Sequence, residues 1–216
     1  GLLYVVHHRL YVLSEVIKQH CSELLSRQDV KTMVDNIKQT NPTLIDDLIP
    51  GTISLGYLEK VLCLLLREGV PIRDMETILE TLGDHAGALK DIDIVTEYVR
   101  QALKRTITRR FAEANSLRVI TVDPKVEDTI VASVKKSDAG SYLAMDPDLI
   151  QKIVNITSGE IDKVKDVIPN VIILTSPIVR IYFKKLIDQF IPNITVLSYS
   201  EIDNTAQIQA IGNIAM

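Results

Sequence analysis

Tryptophan is absent from this chain of 216 residues, cysteine occurs only twice, and aromatic residues make up 5%. Two cysteines exclude a disulfide framework and any zinc site built from thiolates. With 9 Gly and 8 Pro, collagen-like and low-complexity classes are excluded as well. No stretch reaches the roughly 18 consecutive apolar residues of a transmembrane helix. Neither sign of charge dominates: 24 basic stand against 28 acidic residues, net -4, so bulk charge gives no attraction for nucleic acid. The apolar opening, Gly1 to Val6, is too short for a signal peptide and lacks the basic flank and cleavage site. A chain that opens on Gly rather than Met is expected to begin partway through a larger protein. Two unpaired cysteines fit a reducing compartment.

What is present is an ordinary globular composition, 46% hydrophobic and 24% charged. The length predicts two modest domains. The first half reads as helices. Leu10, Leu13, Ile17, Cys21 and Leu24 recur at steps that put them on one stripe of a helix over 10–25. Ser26, with Asp29 three residues on, starts another whose inward set is Val30, Met33, Val34 and Ile37. Asn41-Pro42 opens a short third helix. Ser54 caps a fourth, apolar nearly all round through Leu58, Val61, Leu62, Leu65 and Leu66. Residues 72–82 form a fifth, with Met75, Ile78, Leu79 and Leu82 inward. A sixth is predicted over 91–111.

From Leu117 the pattern changes. Strands are predicted over 117–122, 142–145, 171–175, 194–197 and 208–214. Three times a strand feeds a cap residue, a proline and a helix: Asp123-Pro124, Asp146-Pro147 and Ser176-Pro177. The fold class is therefore mixed: a multi-helix subdomain over 27–115, then a small α/β subdomain over 116–216 with a four- to five-stranded sheet. Divided there, the charge splits evenly. Residues 1–115 carry 14 basic and 16 acidic side chains and residues 116–216 carry 10 and 12.

No chemistry-bearing constellation emerges. Cys21 adjoins His20, but neighbouring helix positions do not face each other. Cys63, inside the run Leu62 to Leu66, reads as a small core hydrophobe. His7-His8 lacks a spaced third ligand for a metal. Asp91/Asp93 and Asp146/Asp148 sit at helix starts, where carboxylates complement the helix dipole. The Asp-Pro and Ser-Pro turns are poor phosphate cradles, because proline removes an amide donor and Asp repels anions. At Thr175-Ser176, helix capping accounts for the hydroxyls. The dense basic patch Arg100, Lys104, Arg105, Arg109 and Arg110 reads as a solvated helix end suited to the C-terminal dipole, with a protein or nucleic-acid contact as the alternative. No cofactor, metal or catalytic residue is assigned.

Several stretches carry a resemblance: ELLSRQDV at Glu23–Val30, LREGVPIRD at Leu66–Asp74, TILETL at Thr77–Leu82, TEYVR at Thr96–Arg100, LTSP at Leu174–Pro177, and VLSY at Val196–Tyr199 followed by Ser200-Glu201-Ile202. In this order they resemble the FHIPEP/SctV family of type III export-gate proteins over nearly the whole chain from about Val12, with LTSP and VLSYSEI favouring its flagellar branch over the injectisome branch. The resemblance implies a non-enzymatic cytoplasmic platform at the bacterial inner membrane, joined to it by an N-terminal membrane region. It implies four subdomains that assemble into a nonameric ring, dock chaperone–cargo complexes and contact export ATPase components. Residues 1–26 would then be the terminal helix of an otherwise missing first subdomain. Residues 27–115 would be the ring-forming subdomain and 116–216 the last one. Tyr11, Ser14 and Glu15 would line the remaining edge of the chaperone groove, Tyr11 standing where the family usually has Thr. Arg67, Glu68, Arg73 and Asp74, alternating charges around a helix break, would form ion pairs between ring subunits, with a solvated turn as the alternative. The stripe of Leu10, Leu13, Ile17 and Leu24, deprived of its partner subdomain, is expected to drive self-association or helix exchange. Two rival readings are a small-molecule-binding α/β enzyme with its site at the strand C-termini and a nucleic-acid module using the Lys104–Arg110 patch.

Overall fold

The computed structural model describes residues 20–216, and the chain divides after Leu103 into two units. The first is all helical: α1 (Cys21–Leu24), α2 (Arg27–Thr40), α3 (Pro42–Leu48), α4 (Leu55–Arg67), α5 (Met75–His85) and α6 (Ile92–Ala102). Local side chains set the starts. At α2 the Asp29 amide donates to Ser26 Oγ (3.1 Å) and the Ser26 amide to Asp29 Oδ2 (2.8 Å), a complete capping box. Those bonds hold the Asp29 carboxyl below its ordinary value. Asn41, Ser54, Asp74 and Asp91 cap the four helices that follow. The predicted inward residues form the core: Val30 and Val34 meet the apolar face of α4, and Leu58, Val61, Leu62, Ile78, Leu79, Leu82, Val95 and Val99 are buried. His85 stacks on Tyr98, ring centroids 4.2 Å apart, tying α5 to α6.

The helix predicted over 91–111 is two helices. Leu103 leaves helical geometry, its amide bonding to both Val99 O (3.0 Å) and Arg100 O (3.1 Å), a tightened final turn. The next helix, α7 (Lys104–Phe111), belongs to the second unit. The unit boundary therefore lies earlier than the change of sequence pattern near Asn115-Ser116.

The second unit continues with β1 (Ser116–Val122), α8 (Pro124–Ala132), β2 (Val134–Ser137), β3 (Gly140–Leu143), α9 (Pro147–Val164), β4 (Ile172–Thr175), α10 (Pro177–Asp188), β5 (Thr195–Ser198), a 3-10 turn (Tyr199–Glu201) and β6 (Gln207–Ile214). The sheet is four-stranded and parallel, in the order β5-β4-β1-β6. The segment around Tyr142 is not part of it. That segment pairs antiparallel with Val134–Ser137, for which no strand is predicted, as a separate hairpin. Lys135 and Lys136 are exposed there, and a lysine-rich pair of strands cannot enter a sheet buried on both faces. Central β4, Ile-Ile-Leu-Thr, is buried at every position, as a parallel strand covered on both sides must be. Ile120, Val122 and Ile173 pack with Val126 and Ile130 of α8, Ile153 of α9 and Phe183 of α10 into one core. On β6 the register shifts opposite Val119/Ile120, and a side chain at Gly212 would meet Glu160 Oε2 at 2.9 Å, so α9 lies close over the strand.

One polar feature lies within this unit. Arg180 of α10 and Glu201 of the 3-10 turn are both fully buried, with Nε 3.4 Å from Oε1. Arg180 Nη1 donates to Val196 O (3.1 Å), and the Ser198 amide donates to Glu201 Oε2 (3.1 Å). Removing one partner leaves the other charge desolvated, so Glu201→Gln should cost about 3–5 kcal/mol in urea denaturation. The double change Arg180→Met with Glu201→Leu should recover most of that loss. A Glu201→Gln protein as stable as the parent would contradict this role.

Candidate interaction site

Each residue singled out from the sequence has a definite place, except that Tyr11, Ser14, Glu15, His7, His8 and most of the first stripe lie outside the described residues. Within that stripe Cys21 is buried, whereas Leu24 is 57% exposed. Around the α4–α5 break, Arg67 and Arg73 are exposed. Asp74 is the α5 cap: Thr77 donates to it through its amide (3.2 Å) and its hydroxyl (2.7 Å). Glu68 turns inward, with Arg100 Nη1 3.3 Å from Glu68 Oε2 and Arg100 only 2% exposed. Glu68 therefore has an ion-pair partner within its own chain. Arg100 also leaves the basic surface patch, because its guanidinium, which cannot shed its charge, is held in the core beside a carboxylate.

The carboxylate pairs are caps. Asp91 Oδ1 accepts the Asp93 amide (3.0 Å) and Asp146 Oδ1 the Asp148 amide (2.8 Å). At the Thr175-Ser176 turn the Ser176 amide donates to Glu127 Oε1 (2.9 Å), so a carboxylate stands where an anionic ligand would have to sit. Among the described residues no group of His, Cys, Asp or Glu has the arrangement to hold a metal ion. None of the described helices is long and apolar enough to cross a membrane. Cys63 neighbours Cys21 in the core of the first unit. Burial, followed by the hydrogen bond to Cys21, pushes the Cys63 thiol up to about 12. A thiol held protonated this way is the reverse of an activated nucleophile.

What the surface does offer is charge. With the boundary at Leu103 the even split disappears. Residues 1–103 carry 10 basic and 15 acidic side chains, net -5, and residues 104–216 carry 14 and 13, net +1. The basic excess gathers on α7. Ile107 and Thr108 bury its inner face, Arg105, Arg109 and Arg110 are exposed, and Lys104 is half-buried. Thr108 Oγ1 accepts the Asp203 amide (2.8 Å), and Arg105 Nε lies 3.6 Å from Asp203 Oδ2. The two buried arginines escaped the reading of the sequence. The available signal was an arginine beside the inward residues of an amphipathic helix: Arg100 between Val99 and Leu103, Arg180 between Val179 and Phe183.

The model of the FHIPEP family matches residues 5–207. Flagellar biosynthesis protein FlhA of Bacillus subtilis is 39% identical over 201 residues, covering 93% of this chain and 30% of that protein. FlhA of Escherichia coli is 32% identical over 198 residues, 91% of this chain and 28% of that protein. The chain thus spans about 30% of the length of these curated relatives. Among solved structures, CdsV in the Chlamydia pneumoniae CdsV–CdsO complex superposes with a TM-score of 0.83 at 32% identity, covering 100% of this chain and 62% of that one. The nonameric SctV-C of EPEC, solved by cryo-EM, gives 0.82 at 27% identity, covering 94% and 61%.

The cysteine environment gives a direct test. In the native protein at pH 8.5 neither described thiol should react with DTNB, and both should react on unfolding. Because folding raises the Cys63 value from 9.0 to about 12, its contribution to stability is fully present below pH 9 and is lost as pH rises from there toward 12. Rapid native-state labelling at pH 8.5 would contradict the buried-pair geometry.

Proposed function

This chain belongs to the FHIPEP family, and from that premise we propose that it is part of the cytoplasmic portion of a flagellar type III export gate, working without chemistry of its own. The observation that carries this reading is the match to a flagellar biosynthesis protein along 93% of the chain. In this reading the chain lies at the cytoplasmic face of the bacterial inner membrane and reaches the membrane through a region outside these residues. Its helical unit contributes to a ring and its α/β unit completes the cytoplasmic body. The nonameric assembly of the EPEC relative supports the ring. The complex of CdsV with CdsO supports a second protein as partner. For this chain we assign export ATPase components and chaperone–cargo complexes as the partners, with Tyr11, Ser14 and Glu15 on the edge of the chaperone groove.

For the ring contact we retain two of the four residues first considered. Arg67 and Arg73, exposed beside the α4–α5 break, remain available to a neighbouring subunit, while Glu68 and Asp74 act inside their own. The buried charged pairs Arg100–Glu68 and Arg180–Glu201 serve the core, which suits a platform that presents surfaces.

The test is capture of flagellar chaperone–cargo complexes by this chain and, side by side, by the whole cytoplasmic region of the protein. The expected result is strong capture by the whole region and at least about tenfold weaker capture by this chain, which holds only an edge of the groove. Equal capture by both would place the groove within these residues. Capture by neither would contradict the docking function.

A further inference from the structure

The charge distribution specifies a contact between copies that the ring reading by itself does not. A closed ring of identical subunits uses a heterologous interface, so every subunit must carry two different surfaces that fit one another. Two such surfaces are on the page. One is α7, with Arg105, Arg109 and Arg110 exposed and, among the described residues, Asp203 as the carboxylate paired to it. The other lies on the acidic helical unit: Glu76, Glu80 and Asp84 of α5, spaced four apart, share one exposed helix face. None of these three carboxylates, nor Arg109 or Arg110, forms an ion pair among the described residues.

Local helix physics does not account for the placement. Glu76 suits the first turn of α5, but Asp84 sits in the last turn, at the negative end of the dipole, and Glu80 repels both neighbours. On α7 the mismatch is reversed. Arg109 and Arg110 suit its C-terminal end, whereas Lys104 and Arg105 occupy the first turn, at the positive end. The unpaired charges, acidic along α5 and basic at Arg109 and Arg110 of α7, are opposite in sign on the two units and are suited to a contact with another molecule, whereas Lys104 and Arg105 face Asp203.

Resting on the ring reading above, we propose that the exposed basic face of α7 in one copy docks on the acidic face of α5 in the next. The occupant is a second copy because the complementary surface is carried by the same chain. An acidic segment of a cargo or chaperone is the competing occupant.

The experiment is sedimentation velocity on the 216-residue chain and its variants over a range of salt. The parent should self-associate, more weakly as salt rises. R109E/R110E and E76K/E80K/D84K should each weaken self-association by at least about tenfold. Mixing the two variants should restore association as a heteromer, and so should combining all five changes in one chain. That restoration separates a lost contact from a lost fold, which circular dichroism checks for each variant. A parent that stays monomeric at every concentration overturns the ring reading for these residues, and this contact with it. Assembly unaffected by either reversal overturns the contact alone and leaves the ring reading standing. Loss of association without restoration in the mixture also overturns it. Loss of chaperone–cargo capture by R109E/R110E with self-association intact would transfer the basic face to the competing occupant.

Discussion

The second unit depends on a charge pair that water does not reach. Arg180 and Glu201 lie in the interior, one on α10 and the other on the turn that follows β5, and neither can be moved without stranding the other. Through Val196 O and the Ser198 amide the same two side chains hold β5 against the helix. Two residues beyond Glu201, Asp203 receives its own set of bonds. Hydrogen bonds from Thr205, with Arg105 and Lys104 nearby, keep its carboxyl below the ordinary range, and its amide reaches Thr108 of α7. Asp203, two residues along the chain from the buried pair, is thus the point at which this segment meets the exposed basic helix.

The first unit solves a similar problem in the same way. Arg100 is among its largest fully buried side chains, and Glu68 stands beside it, drawn in from the end of α4. Each unit thus holds an arginine beside a carboxylate in its interior, an arrangement in which losing one partner costs more than the pair adds in net stability. Surface function and core structure compete for the same charged residues. Where the core takes Glu68 and Arg100, the surface keeps Arg67, Arg73 and the cations of α7.

Much of this was legible in the sequence. The caps Ser26, Asn41, Ser54 and Asp91, and the Pro-opened helices after Asp123, Asp146 and Ser176, follow from short-range rules and lie where those rules put them, although the Ser176 hydroxyl makes no capping bond. Asp74, placed by the pattern inside a helix over 72–82, is instead the cap of a helix that starts at Met75. The inward residues of α4 and α5 follow from periodicity alone. The misreadings differ in kind. The inward turn of Arg100 and Arg180 is settled by partners distant in sequence, Glu68 and Glu201, whereas the break at Leu103 and the pairing of Tyr142 with Lys135 are local features that hydrophobic periodicity does not report. Placing the boundary at the change of pattern rather than at Leu103 also hid the charge asymmetry, since it credited the α7 cations to the acidic unit. Tyr11, Ser14 and Glu15 rest on resemblance alone and lie outside the described residues.

Membership of the FHIPEP family and the mixed fold are the ground of the proposed account, in which the surfaces of the two units, rather than a reactive centre, serve protein export. The most direct measurement is replacement of the corresponding segment of Bacillus subtilis FlhA by this chain, followed by quantification of exported flagellar protein in the culture medium. At normal levels of the chimera, export should return to a substantial fraction of the parental level. A chimera that accumulates normally yet exports nothing would contradict the account.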